Sequence, residues 1–310
     1  MRMRSGSLSL ILLFAAGCSQ APERPPTPQP STRERPTPQL PHRRHGHRVE
    51  RVDGGLLCVG GFRPSRTADR GQRESFFLAD GEARWRPIAA THHPHAFCGS
   101  AVIDGHAHVV GEAVERYDAD GDRWQVLVAP GLLPRSHFGC AAVGEQLFVL
   151  GGFPELDTGF HVVDARTGEV TAAAPPPSFA HGDHLSILVT LQGELHVLGG
   201  INGAVDELQR RHWVRRDGAW RALADCPTGV WSKFAAWAVC GGRLYAFGDF
   251  GGLCYEPSTD SWSRRANMPS MRAMPAAVVG GGEIHVIGGM PVEGDGGATL
   301  RYDVAADRWR

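Results

Sequence analysis

The chain has 310 residues, 42% hydrophobic and 21% charged, which excludes a disordered or collagen-like polypeptide and supplies enough apolar material for a sizeable core. Its 40 glycines and 22 prolines exclude a helical bundle, where each interior Gly or Pro costs about 1 or 3 kcal/mol relative to Ala, and they favour an all-β fold. A formal net charge of -1 gives no field to hold a phosphate backbone, so nucleic acid is not an expected partner.

Arg2 and Arg4 precede an apolar run, Leu8 to Ala16, that is too short to span a bilayer and is followed at once by Gly17 and Cys18. This is the layout of an export signal over residues 1–18. Ala15-Ala16-Gly17-Cys18 resembles the lipobox of bacterial lipoproteins, which implies lipidation at Cys18 and a mature chain that begins there. An ordinary cleaved signal with an incidental cysteine is the alternative. Residues 19–41 carry eight prolines among Thr, Gln, Ser and Arg and read as a tether, extended at about 3.1 Å per residue. The expected location is the cell envelope, facing the periplasm or the cell surface, with membrane contact through the lipid anchor alone. Cys58, Cys98, Cys140, Cys226, Cys240 and Cys254 form no C-x-x-C pair, and most of them read as core-filling.

From residue 42 to residue 310 one pattern occurs six times. An apolar run ends in a glycine at Gly60, Gly111, Gly151, Gly199, Gly248 and Gly288, with spacings of 51, 40, 48, 49 and 40 residues. Each run is followed by an acidic turn leading to tryptophan. The turn is complete at Tyr117-Asp118 to Trp124, Tyr255-Glu256 to Trp262 and Tyr302-Asp303 to Trp309. It lacks the tyrosine at Asp80 to Trp85 and Asp217 to Trp220, and Asp164 is followed by Val170 where Trp is expected. A small-residue segment and a tight turn precede each run, as at Val239-Cys240-Gly241-Gly242, so the spacing predicts four short strands per copy. Runs such as Leu147 to Leu150, apolar at consecutive positions, demand a sheet covered on both faces.

A glycine doublet after a hydrophobic strand, then Tyr-Asp, then Trp, resembles the kelch repeat. Copies two and five depart from it with Gly111-Glu112 and Gly248-Asp249. The resemblance implies a six-bladed kelch-type β-propeller with four antiparallel strands per blade. Copy one begins with its own inner strand near Arg44-His45-Gly46-His47, and copy six ends beside Trp309. The ring is therefore expected to close by blade-on-blade packing alone, with its weakest seam between the first and last blades.

In such blades the loops after strands two and four open on one face, and that loop-rich mouth is the expected site. His108, His196 and His285 stand where other copies have Leu57, Phe148 and Tyr245 and read as structural. His92, His93, His95, His137, His181 and His184 fall in the links between blades. Imidazoles ligate zinc, iron and copper, but this spacing is that of no zinc motif, so a polar rim is expected and no metal or cofactor is assigned. The run Asp118 to Asp122 lacks the later Glu of a calcium loop and reads as a strand turn. Arg135, Arg272 and Trp231-Ser232-Lys233 complete the rim; Trp231 fits no landmark, and Lys233 is the one lysine among 32 basic residues. An aromatic beside cations suits an anionic sugar or a peptide. The expected binding residues are His95, Arg135, His137, Asp183, His184, Trp231, Lys233 and Arg272.

No P-loop, dinucleotide fingerprint, zinc-protease helix or nucleophile elbow occurs. Galactose oxidases are also kelch propellers and use two tyrosines on copper, whereas Tyr117, Tyr245, Tyr255 and Tyr302 all occupy repeat landmarks here. An exported six-bladed kelch protein also resembles the sialic acid mutarotases. That resemblance implies, as an alternative, a sugar-acid mutarotase or epimerase in which Glu112, Asp183 or Glu207 moves a proton and Arg135 or Arg272 holds the substrate carboxylate. A His-rich metal-dependent enzyme in the same mouth is a further alternative. The leading expectation is a non-catalytic envelope lipoprotein that binds a protein or glycan partner through the mouth.

Overall fold

Each of the six copies folds as one sheet of four antiparallel strands. The computed structural model describes residues 39–63, 71–133, 136–153, 159–179, 183–202, 206–292 and 298–310. The signal with Cys18, the tether up to residue 38, Arg135 and His181 lie outside the described residues. Blade one consists of His45–Val52, Gly55–Phe62, Ser75–Ala79 and Arg86–Ile88. The first strands of the other blades are Gly99–Ile103, Gly139–Val143, Ile187–Leu191, Ala235–Cys240 and Ala276–Gly280. They stand side by side with His45–Val52 around an axis, and the later strands follow in chain order toward the outside.

The consecutive apolar positions have a plain cause. Side chains alternate across a strand, and each blade face is covered by a neighbour. In blade one Leu57 and Val59 enter a core shared with blade two, while Leu56 and Cys58 enter a core shared with blade six. Six such cores, one per pair of neighbours, make up the hydrophobic interior. All six cysteines after residue 42 are free thiols, and burial pushes Cys58 up to about 12 and Cys98 to about 11. They fill space as neutral thiols.

Both glycines of a doublet lie in the left-handed region, as at Gly199 and Gly200 with φ of +53° and +95°. The first presses its Cα on the link to the next blade, and the N–H of the second bonds that link. Gly61 N–H donates to His95 O at 2.7 Å, Gly200 N–H to Val230 O at 2.8 Å and Gly289 N–H to Arg44 O at 2.9 Å.

The tyrosine and tryptophan landmarks form a second inter-blade clamp. Tyr117 Oη donates to Asp122 Oδ1 at 2.8 Å, the same oxygen receives Ala89 N–H at 2.9 Å, and Trp124 Nε1 donates to Ala89 O at 2.9 Å. Tyr255, Asp260 and Trp262 hold Ala224 in the same way, and Tyr302, Asp307 and Trp309 hold Ala266. The working acid is therefore the aspartate five residues after the tyrosine, not the one beside it.

Blades one and six each supply all four of their own strands, so the ring closes, as expected, blade on blade with no shared strand. Gly46 N–H donates to Met274 O at 2.9 Å, and Gly289 N–H bonds Arg44 O, so backbone hydrogen bonds join the last blade to the first. The core between them also contains Trp85 beside Val278 and Ile287. Among the described residues Trp85 Nε1 has no partner, unlike the indoles of Trp124, Trp220, Trp262 and Trp309.

Histidines at repeat positions sit inside the blades. His196 Nδ1 and His212 Nε2 are 3.0 Å apart, and His212 lies edge-on to Tyr255 at 4.5 Å. Burial pushes His196 down to about 4, and burial with the neighbouring His196 pushes His212 down to about 3, from an ordinary 6.5. The unfolded chain then binds more protons than the folded one below pH 6.5, so stability present above that pH is lost as pH falls toward about 3 to 4. The double variant His196→Leu, His212→Phe should flatten the fall in melting temperature between pH 6.5 and pH 4. An unchanged acid limb would locate the acid sensitivity elsewhere.

Candidate functional site

At the mouth end of the axis each link contributes one residue to a ring: Gly46, Phe97, His137, Leu185, Lys233 and Met274. The ring narrows the axis to a space of about 30 Å³. Backbone bonds run around it. Phe97 N–H donates to Gly46 O at 3.0 Å, Leu185 N–H to His137 O at 2.8 Å, Ser232 N–H to Leu185 O at 2.8 Å and Met274 N–H to Lys233 O at 2.7 Å. Phe97, His137, Leu185 and Met274 hold left-handed backbone at φ of +50°, +62°, +58° and +54°. Such conformations cost a non-glycine residue about 1–3 kcal/mol each and persist where the surroundings over-determine them. Blade five departs by a 3-10 turn, Ser232–Phe234, and presents Lys233.

Above the ring lies an arc of aromatic side chains. Phe62 and Phe97 have centroids 4.9 Å apart, Phe97 and His137 4.7 Å, His137 and Phe153 5.9 Å, and Phe153 and His184 4.9 Å. Across the ring Lys233 Nζ stands 5.5 Å from the Trp231 ring and 5.6 Å from that of Phe234. Trp231 Nε1 donates to Asp249 Oδ2 at 3.2 Å, which fixes the indole at the rim. Burial lowers the pKa of His137, and the charges of His184 and Lys233 add to the shift. This part of the rim is an aromatic surface with Lys233 set into it and the Asp249 carboxylate beside Trp231.

Of the expected binding residues, His137, His184, Trp231 and Lys233 share this rim. His95, Asp183 and Arg272 do not, which is a correction. They occupy one repeat position, two residues before the ring residue, where the side chain turns down into its own blade. Arg44, at the same position in blade one, donates to Gly60 O at 2.8 Å and to Glu74 Oε2 at 3.1 Å. Arg272 donates to Gly288 O at 3.1 Å. Asp183 accepts from Arg211 at 2.6 Å, and Arg211 Nε bonds Gly199 O at 3.2 Å. His95 Nε2 is 3.0 Å from Glu115 Oε1, and Glu115 also accepts the N–H groups of His92 and His93. These four are buried latches that hold their links to the strand ends. In blade five the backbone partner is Val230, so the turn shifts the register by one residue and brings Trp231 to the rim.

Of the carboxylates and arginines that a sugar acid would need, Asp183 and Arg272 serve as latches and Glu207 pairs in an exposed ribbon with Asn202, while Arg135 lies outside the described residues. Among the described residues no three His, Cys, Asp or Glu side chains converge on a metal position. Phe62, Phe97 and Phe153 were not anticipated at the site. The available signal was positional, for Phe62 and Phe153 directly follow the doublets Gly60-Gly61 and Gly151-Gly152, outside the strand core.

Six four-stranded blades with glycine clamps and Tyr-Asp-Trp clamps define a kelch-repeat β-propeller. No family model matches the sequence. The chain is 29% identical over 209 residues to Kelch-like protein 35 of Mus musculus, covering 63% of this chain and 34% of that protein. To Kelch-like protein 34 of Homo sapiens it is 28% identical over 242 residues, covering 70% and 35%. To the F-box/kelch-repeat protein At1g16250 of Arabidopsis thaliana it is 26% identical over 218 residues, covering 63% and 55%. The chain thus spans about a third of the length of the first two and about half of the third. The solved structure of YjhT shares the fold with a TM-score of 0.70 at 14% identity, over 88% of this chain and 99% of that one.

Proposed function

We propose that this chain is a cell-envelope propeller, anchored through Cys18 and held out by residues 19–41, whose mouth docks a protein partner. One observation carries the reading. Of seven large apolar side chains exposed among the described residues, six lie in loops or links of the mouth face: Leu132, Phe153, Leu208, Met271, Met290 and Val292. Exposed apolar groups gathered on one face mark interaction surfaces, and the aromatic arc with Lys233 supplies rigid anchors of the kind that dominate binding energy. A glycan is the competing occupant.

The test is capture from an envelope extract by the full chain, run beside a glycan array. Phe153→Ser with Met290→Ser should lower retention of the partner about tenfold or more, because central apolar anchors carry most of the affinity. Val126→Ser, on an outer strand, should leave it unchanged. A partner retained equally by both variants, or a glycan bound in place of any protein, would refute the docking role. Radiolabelled palmitate that still enters Cys18→Ser would remove the anchor.

A further inference from the structure

Below the mouth ring the six first strands enclose an axial cavity of about 260 Å³. Much of its wall is small, from Ala142, Ala238 and Ala277, yet blade one contributes Arg48 and Glu50 and blade five contributes Trp237. Arg48 is fixed in place. Its Nε donates to Cys98 O at 2.6 Å and its guanidinium carbon stands 5.1 Å from the Trp237 ring centroid. Its two terminal nitrogens have no partner among the described residues. Glu50 lies two residues along the same strand and so on the same side of it. Ser100 Oγ donates to Glu50 Oε1, while Oε2 has no partner among the described residues. The two side chains share the cavity without forming an ion pair with each other. Burial raises the pKa of Glu50, against the opposing pull of Ser100 and Arg48, as expected for a carboxyl with no counter-charge in contact.

Arg48 and Glu50 are half-buried and their unpaired atoms face the cavity, so the occupant that can pair with both decides the chemistry. A simple carboxylate would satisfy Arg48 and repel Glu50, and a simple amine would do the reverse. A zwitterion answers both and adds no net charge, while small side chains and an indole face suit an apolar body. We infer that the axial cavity binds a free α-amino acid with an apolar side chain, its carboxylate on Arg48 and its ammonium on Glu50. Entry is from the face of the short turns, because the ring narrows the mouth end. The site is independent of the docking face proposed above.

Calorimetric titration of the full chain with L-phenylalanine and L-leucine tests it, with 3-phenylpropionate and 2-phenylethylamine as single-charge controls. One amino acid per chain should bind saturably, the controls about tenfold or more weakly. Arg48→Gln and Glu50→Gln should each weaken binding by about tenfold or more in protein whose melting curve shows it folded. Ala277→Leu, which takes up cavity space and leaves both charged residues in the chain, should abolish binding, so that the inference stands or falls even where a charge variant does not fold. Phe153→Ser should change nothing. Absence of saturation at millimolar amino acid, equal binding of a single-charge control, or binding that survives Ala277→Leu or Arg48→Gln would overturn it.

Discussion

Gly199→Ala is expected to cost about 3 kcal/mol or more, enough to consume a large part of a domain's net stability. Two effects combine. The backbone at Gly199 has φ of +53°, which alone penalises alanine by about 1–2 kcal/mol. The added Cβ would also stand 2.1 Å from Val230 O and 2.5 Å from Val230 Cγ2. That carbonyl cannot swing aside, because it accepts Gly200 N–H at 2.8 Å while Val230 N–H is held by Gln209 O at 3.2 Å. Gly193→Ala is the control, with φ of +80° and nothing within 4 Å of the new Cβ. It should lose the conformational part alone. Urea midpoints compare the two. Equal losses would mean that the doublet glycine serves backbone conformation and has no part in clamping blade four to blade five.

The same geometry explains why the architecture was legible. Gly60, Gly151 and Gly288 repeat the close approach, their added Cβ atoms falling 2.5 Å from His95 O, 2.3 Å from Asp183 O and 2.8 Å from Arg44 O. A requirement met by no residue other than glycine leaves a mark in every copy, and the period of those marks counts the blades. Strands apolar at every position follow from burial on both faces. These are local constraints, so one sequence suffices to read them.

The site was legible in part, and the reason is orientation. That His95, His137, Asp183 and His184 lie in links could be read from the repeat, but a shift of one or two residues decides whether a side chain points out or down. His137 and His184 reach the rim, whereas His95 and Asp183 are latches. An inserted residue before the turn Ser232–Phe234 then reverses the outcome for Trp231. Phenylalanines after a strand pass for core, so Phe62 and Phe153 drew no notice. Arg48, Glu50 and Trp237 lie in first strands read as small-residue spacers, and their shared cavity exists once six separate segments meet. Convergence of that kind has no local signature.

Trp124→Ala should be the most damaging change outside the glycines, at about 3–5 kcal/mol for a buried large aromatic. Trp124 is 4% exposed, packs at 5.2 Å on Tyr117 and fills the core between blades one and two. Its indole N–H bonds Ala89 O, while Asp122 bonds Ala89 N–H, so two side chains of blade two grip one residue of blade one from both ends. Trp124→Ala and Asp122→Ala should therefore couple in a double-mutant cycle by about 0.5 kcal/mol or more, as groups with a shared partner do. Trp85 supplies the comparison. It is 7% exposed and packs equally deep between blades six and one, but its indole N–H has no partner among the described residues. Trp85→Ala should then cost less than Trp124→Ala by about 1 kcal/mol, the net worth of one hydrogen bond. Equal melting temperatures for the two variants would show that the clamp adds nothing to apolar packing, and that the recurrent tryptophan is wedge alone.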